Sequence, residues 1–422
     1  MHQFIYNFHA VGQGLFASGV IRRNKDVNKT IFNWVYDCGT ASGESLVDDA
    51  LIAVETDVAR QRRLNLVTVS HFDRDHISGL CRLAEKFKID TLMLPYMAQE
   101  QRLWMAFEEG VPPGDDLMEF FVNPTAYLTG RDWPGIRNIL YVPPSGGEGP
   151  PAQTAELPND VGPGEEDWQM RTDADKPDGD HDPAKESGNP NTQVIFLKPR
   201  GTLQLGAYWE FVPYNDDPAK PIPAAFRSQV RAARNKLIRN VSLAEREAAL
   251  EALKTIYKKQ FGKESEERNI ISLFLHAGPV YSAWKTVAIS YCTQSGQPDW
   301  HWRGYASLPD GISASASKSS LLYTGDGYLD NHERLARLTG FLGKDRVERT
   351  GVMQVMHHGS ETNWHKSVAQ VFKPLFSIFS SDPNRKKWGH PHAAVLRDFW
   401  SFGPVQADKS KSVSVDGMME LR

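Results

Sequence analysis

The sequence predicts a layered α/β (α+β) fold that carries a chemical centre at the ends of its strands. Through residues 1–95, short β-branched and apolar runs alternate with amphipathic helical stretches. Strand, helix and strand in that order suit sheets covered by helices. In addition, three apolar runs end in histidine and aspartate: Val69 is followed by His71, Asp73, Asp75 and His76; Tyr323 by Thr324, Gly325 and Asp326; Met356 by His357, His358, Gly359 and Ser360.

A chain of 422 residues suffices for one large domain with insertions or for two domains. An apolar content of 40% and a charged content of 24% are ordinary for a soluble globular protein. No apolar run approaches the roughly 20 residues that cross a bilayer, and no basic leader precedes a long apolar core. Cys38, Cys81 and Cys292 are odd in number and widely spaced, as free thiols of a reducing compartment are, and they form no cysteine-based zinc site. A cytoplasmic location without membrane contact is expected. The net charge of −4 excludes a uniformly basic nucleic-acid binder but leaves room for a local basic patch.

Taken in order, residues 4–8 alternate as a strand and meet the turn Val11-Gly12-Gln13-Gly14, beside His9. Residues 31–36 form a strand that ends at Asp37. Residues 45–63 read as a helix with Leu46, Ala50, Ala53, Val54 and Val58 on one face. It leads into Leu66, Val67, Thr68 and Val69, a buried strand. Alternate residues of an extended or turning segment point the same way, so His71, Asp73 and Asp75 can converge while His76 closes from the side. A plain loop with Asp75 as helix cap would need one such side chain, and this one has four. A helix at 80–87 and a strand at 89–95 follow.

The composition then changes. Residues 143–193 are rich in Pro, Gly, Asp and Glu and lack aliphatic periodicity, so they read as a flexible insertion in which His181 is solvated. Residues 194–213 are core strands. Residues 214–268 are a helical insertion of two amphipathic helices, with Arg227, Arg231, Arg234, Lys236 and Arg239 on the first. Ser242 and Glu245 form a capping box for the second. The basic side is either a solvated face or a strip for phosphates. Trp300 and Trp302, with Tyr305 nearby, share a hairpin face, with sheet packing as the default reading. The map is therefore 1–142, 143–193, 194–213, 214–268 and 269–422, with the first and last forming one fold.

The segment from His71 to Gly79, His-x-Asp-x-Asp-His-x-x-Gly, resembles the oxygen-richer form of the His-x-His-x-Asp-His signature of the metallo-β-lactamase superfamily. That form is familiar from the hydrolase domain of ComEC-type DNA-uptake proteins and their soluble relatives. Val11 to Gly14, Asn269 with Ser272 and Leu273, Thr324 to Asp326, His357 to Ser360 and Gly389-His390-Pro391 continue the resemblance in order. The chain departs from it where Ala10 and Leu15 replace flanking acidic residues. It departs again where other members carry a ligand histidine, since the nearest one here is His276, at the far end of its strand. Asn269 or a water would complete the shell there.

The resemblance implies a four-layer αβ/βα sandwich and two divalent metal ions, zinc or manganese. His71, Asp73 and His357 would hold one ion, Asp75 and His76 the other, with Asp326 bridging and Asp37 anchoring the ligand loop from behind. Catalytic roles fall to Asp75, His358 and His390, the two histidines on the substrate side as hydrogen-bond donors or general acid. Asp73 in place of a histidine hardens the site, which favours manganese alongside zinc. The implied activity is hydrolysis of a phosphodiester by a two-metal-activated water, with an anionic substrate such as DNA or RNA, as in a phosphodiesterase or nuclease. The neighbouring Arg385, Lys386 and Lys387 suit such a substrate. The alternatives are a phosphorylcholine ester or cyclic nucleotide as substrate, or a binding subunit with an idle site that docks a protein partner through 214–268.

Overall fold

The computed structural model describes residues 1–58, 62–108, 110–131, 133–146, 150–151, 169–175, 189–216, 224–238, 242–261, 272–280, 284–295, 318–385 and 389–421. Its strands are, in chain order, β1 (His2–Phe8), β2 (Phe16–Arg23), β3 (Thr30–Cys38), β4 (Arg63–Thr68), β5 (Lys88–Pro95), β6 (Ile136–Val142), β7 (Met170–Thr172), β8 (Ala174–Asp175) and β9 (Gln193–Leu197). Then come β10 (Leu203–Leu205), β11 (Trp209–Asn215), β12 (Leu273–Pro279), β13 (Trp284–Ser295), β14 (Ser320–Tyr323), β15 (Thr350–Gln354), β16 (Phe376–Ser380), β17 (Pro404–Ala407) and β18 (Lys411–Leu421).

They form two mixed sheets. One has the order β13-β18-β1-β2-β3-β4-β5-β6-β9-β8, the other β17-β16-β15-β14-β12-β11-β10-β7. The parallel strands β3 to β6 and β14 to β16 are largely buried on both faces, so they read as mostly apolar runs. Alternation along each strand sends one set of side chains between the sheets. Trp34, Leu66, Met93 and Leu140 of the first sheet meet Trp209, Phe211, Leu275 and Leu321 of the second there. The Tyr36 and Tyr323 rings stack at 4.4 Å across this layer, and the Tyr36 hydroxyl donates to the Leu273 carbonyl at 2.6 Å.

The other faces are covered by helices. Glu44–Asp57, Leu80–Lys86, Gln99–Glu108 and Asp116–Val122 lie on the first sheet, packed around Val35, Val67 and Leu92. His332–Leu342, Val368–Phe372 and Ala393–Asp398 lie on the second, around Leu322, Met353 and Phe379. The result is helix, sheet, sheet, helix, the four layers expected.

Several elements differ from expectation. The helix predicted over 45–63 is Glu44–Asp57, and its inner face is Val47, Ala50, Leu51 and Val54. Ala53 is exposed, because the true stripe is turned by about one position from the one read off the sequence. Residues 170–175, inside the expected flexible insertion, add edge strands to both sheets through β7 and β8. The two helices at 224–261 form within the expected helical insertion and pack onto the first layer. Phe226, Val230, Leu250 and Leu253 are buried in the core of the first layer. The capping box at the second helix forms as read: Glu245 Oε2 accepts from the Ser242 amide at 3.0 Å and hydroxyl at 2.8 Å. His181, Trp300, Trp302, Tyr305, Asn269, Arg239, Lys386 and Lys387 lie outside the described residues. No helix among the described residues is long and apolar enough to cross a membrane.

One buried ion cluster clamps the second sheet to its helical layer. Glu210 on β11 accepts from Arg346 Nη2 and Arg349 Nη2, both at 2.8 Å, and all three side chains are nearly inaccessible. Burial alone would raise the Glu210 pKa, but the two guanidiniums outweigh it and pull it down to about 2. Removing a single carboxylate would leave two buried cations without their counter-charge. Glu210→Gln is therefore expected to lower unfolding free energy at neutral pH by about 3–5 kcal/mol. The native pKa lies below the ordinary value of 4.5, so the wild-type advantage is full above that pH and fades as pH falls toward 2. Denaturant titrations of both proteins across that range check this, and a gap that stays constant with pH would contradict it.

Candidate metal centre

The centre is built where β4, β14 and β15 end, at one edge shared by the two sheets. Beyond β4, Ser70 and His71 continue the strand direction, and a short helix, Arg74–Ile77, turns the chain. Asp73 occupies the N-cap position of that helix, yet its side chain makes no capping hydrogen bond. Its Oδ2 lies 3.6 Å from His71 Nε2 instead. The loop is held tightly from behind. A β-carbon on Gly39 would meet the Asp75 carbonyl carbon at 2.4 Å, and the Leu15 amide donates to the Asp75 carbonyl at 3.1 Å. The turns at 11–14 and 37–39 are thus the bed on which the ligand loop rests.

The Thr324-Gly325-Asp326 turn is fixed just as closely. The Gln354 side-chain oxygen accepts from the Thr324 and Gly325 amides, each at 2.8 Å. Ser272 Oγ accepts from the Asp326 amide at 3.2 Å, which gives the serine of the Asn269-to-Leu273 motif a part in placing this carboxylate. Gly325 sits at φ +51 with Ser272 Oγ only 2.5 Å from where a β-carbon would be, so no other residue fits.

Asp326 is the meeting point of two sets of side chains. Its Oδ1 faces His76 Nε2 at 3.1 Å and His358 Nε2 at 3.6 Å, and Asp75 Oδ2 is 3.4 Å from the same His358 nitrogen. These four residues, Asp75, His76, Asp326 and His358, bring one ligand atom each to within 4.8 Å of one another. Its Oδ2 faces His357 Nε2 at 3.5 Å and His71 Nε2 at 3.9 Å, with Asp73 beside His71.

Each histidine is held by its other nitrogen. His76 Nδ1 donates to Asp37 Oδ2 at 2.8 Å and His71 Nδ1 to Ser70 Oγ at 2.8 Å, which itself donates to Asp37 Oδ2 at 2.6 Å. His358 Nδ1 donates to the Ser380 carbonyl at 2.6 Å, and His357 Nδ1 to Asn363 Oδ1 at 2.6 Å. With Nδ1 occupied as a donor, Nε2 carries the lone pair, the arrangement typical of metal-binding imidazoles. The Nε2 atoms of His71, His76 and His358 are buried and make no hydrogen bond. Burial opposes charge on His76, but Asp326 and Asp37 overcome it and raise its pKa well above 6.5. A cation among these carboxylates would meet the same need as those protons. The residues present fit divalent metal ions, in imidazole and carboxylate donors suited to zinc or manganese.

The layers and this strand-end cluster together decide the architecture. The chain forms a four-layer αβ/βα sandwich, the architecture that the resemblance to the metallo-β-lactamase superfamily implies. No family model matches the sequence. The chain is 30% identical over 122 residues to "Recombination protein 2" of Haemophilus influenzae, a match that takes in 25% of this chain and only 14% of that protein. It is also similar to a solved structure, the metallo-β-lactamase fold protein YhfI from Bacillus subtilis, with 10% identity, full coverage of both chains and a TM-score of 0.35. That likeness is too slight to bear on the fold, which stands on its own topology.

Of the two adjacent histidines, only His358 differs from expectation. His357 was expected on the metal with His358 facing substrate. The structure instead gathers His358, 1% exposed, into the cluster with Asp75, while His357 is 25% exposed beside the other oxygen of Asp326. Both residues have positive φ, 44° and 58°, so β15 does not simply run on past its end. That turn aims both rings at Asp326, one to each oxygen. His390 lies nearby, 5.6 Å from the His357 ring and 6.3 Å from the His358 ring, and burial and the neighbouring histidines hold its pKa down to about 3.

Gln13 also reaches this place, its Nε2 3.5 Å from His390 Nδ1. His9 stays away, bonded to Ser18 Oγ at 2.9 Å, and His276 is buried beside Glu210 on the outer side of the second sheet. Sequence reasoning missed Ser70, Ser380 and Asn363. A serine or asparagine that supports an imidazole leaves no spacing signal of its own, although Ser70 stands directly before His71.

Asp37 supports two histidines at once. Asp37→Asn is expected to keep the fold, since asparagine tolerates the positive φ of 53° there, and to weaken metal binding roughly 10- to 100-fold. Competition titration of the purified protein with a chromogenic chelator measures this. Unchanged affinity would remove Asp37 from the centre.

Proposed function

We propose that this chain is a metal-dependent phosphodiesterase that cleaves nucleic acid. The fold and the cluster support a metal-dependent hydrolase. The observation that carries the finer reading is the double-faced Asp326, with one histidine–aspartate set at each oxygen. Divalent ions held by His71, Asp73 and His357 on one side and Asp75, His76 and His358 on the other would supply Lewis acidity and an acidified water, as phosphodiester hydrolysis requires.

The remaining work falls to the chain's own groups. His390 is neutral at physiological pH, so it can donate a hydrogen bond to a phosphoryl oxygen without repelling the nearby cationic centre. If Gln13 donates to its Nδ1, the proton of His390 sits on Nε2, the nitrogen left to face a substrate. His357, the most exposed of the four histidines around Asp326, stands at the mouth of the site. Arg385, whose carbonyl lies 3.4 Å from the Gly389 amide next to His390, adds a positive charge for an anionic substrate. The local match to a protein named for recombination supports nucleic acid as that substrate.

The test uses the full chain with manganese or zinc against bis(p-nitrophenyl) phosphate, single-stranded DNA, RNA, a phosphorylcholine ester, a cyclic nucleotide and a carboxylic ester. Cleavage of the phosphodiesters is expected, with DNA or RNA preferred. His390→Ala should retain metal and lose about 10²-fold in kcat. Turnover confined to the carboxylic ester, or none with either metal, would overturn the reading.

A further inference from the structure

A second cavity of about 940 Å³ opens at the end of the sandwich opposite the metal centre. It is lined by the Thr30 end of β3 and the starts of β4 to β6, while the centre is held at the Asp37 end. The seven residue steps from Thr30 to Asp37 separate the two places by roughly 23 Å at 3.3 Å per residue. Its size is that of a small-molecule site.

The lining is cationic in a protein whose net charge is −4. Arg23, Lys29, Arg63 and Arg137 stand around it, with Asp90 as the carboxylate among the lining residues. Asp90 is already engaged: Arg63 Nε lies 2.7 and 2.8 Å from its two oxygens, and Asn65 Nδ2 donates to it at 3.1 Å. It therefore leaves little charge to repel an anion. Lys29 leans on Asp26 at 3.7 Å, in an exposed pair of small worth. Among the described residues no carboxylate lies within ion-pair distance of Arg23 or Arg137, though they extend from different strands toward one space. By contrast, Arg22 is matched by Asp57 at 2.8 Å and Arg131 by Asp116 at 2.7 Å.

The rest of the wall is neutral. Asn28 offers a side-chain amide at the mouth, and Ile31, Phe32 and Met170 offer apolar surface, Met170 coming from the edge strand of the other sheet. Guanidinium forks suit phosphate oxygens, and an apolar wall with amides beside it suits a base and sugar. We propose that this cavity binds a phosphate-bearing small molecule of nucleotide size, held at its phosphates by Arg23 and Arg137. The site is separate from the metal centre and independent of the reaction performed there.

Isothermal titration of the full chain with ATP, in the presence of a chelator to exclude binding through metal, tests this. Saturable binding of about one equivalent is expected, with adenosine and inorganic pyrophosphate each weaker by about tenfold or more. Arg23→Gln/Arg137→Gln should lose about tenfold or more in ATP affinity, and Asp326→Asn should bind as wild type does. Among the described residues the side chains of Arg23 and Arg137 make no hydrogen bond that the substitutions would remove, and an unchanged melting temperature of the double variant checks its fold. If that variant is unfolded, Arg137→Gln alone carries the same expectation. Absence of saturable binding would overturn the proposal. So would loss of binding in Asp326→Asn with retention in the arginine variants. Equal affinity for pyrophosphate and ATP would also overturn it, in favour of a bare anion site.

Discussion

The Asp37 carboxylate is the contact on which the rest of the centre depends. It is fully buried, in a left-handed backbone conformation at the end of β3, and one oxygen accepts from the Ser70 amide at 2.6 Å. The other takes the Ser70 hydroxyl and His76 Nδ1, and through Ser70 it also fixes His71. A buried charge is costly unless it is paired and hydrogen-bonded, and here the pairing is what points two imidazoles at a common space. The glycine beside it, Gly39, lets the ligand loop lie directly on the strand end. Strand, anchor and ligands are thus one rigid unit, with little ordering left to do when a cation arrives.

The second constraint is symmetric in effect. Asp326 presents its two oxygens to two sets of histidines, and its backbone is pinned by Ser272, by Gln354 through the preceding turn, and by Asn363, whose Nδ2 donates to the Asp326 carbonyl at 2.8 Å. Asn363 also accepts from His357 at 2.6 Å, so the bridge and one flanking histidine move together. Burial would raise the Asp326 pKa, but the surrounding imidazoles lower it well below 3.8. A carboxylate kept ionised in a buried pocket is what two neighbouring cations need between them.

Much of this was legible in the sequence because metal ligands at strand ends have to appear as named residue types in fixed order. His71, Asp73, Asp75, His76, Asp326 and the histidine pair could be read that way as candidates, and Asp37 through the family resemblance. That helices cover sheets followed from apolar runs and helical stripes, and that there are four layers from the family resemblance. The division of labour between His357 and His358 was not legible, since it depends on positive φ at two non-glycine residues, which no hydrophobic pattern encodes. Nor was the burial of the helices at 224–261: an amphipathic helix shows that it has an apolar face but not what covers it. The edge strands β7 and β8 were hidden for a related reason, being too short to show a period of two.

The account stands on Asp326 serving two cation sites at once, and metal stoichiometry measures that most directly. Elemental analysis of purified protein, after equilibration with zinc or manganese and removal of free ion, should give about two ions per wild-type chain. Asp326→Ala should fall to well below one, while the circular dichroism spectrum stays that of the wild type. An Asp326→Ala protein that keeps the wild-type metal content would contradict the account.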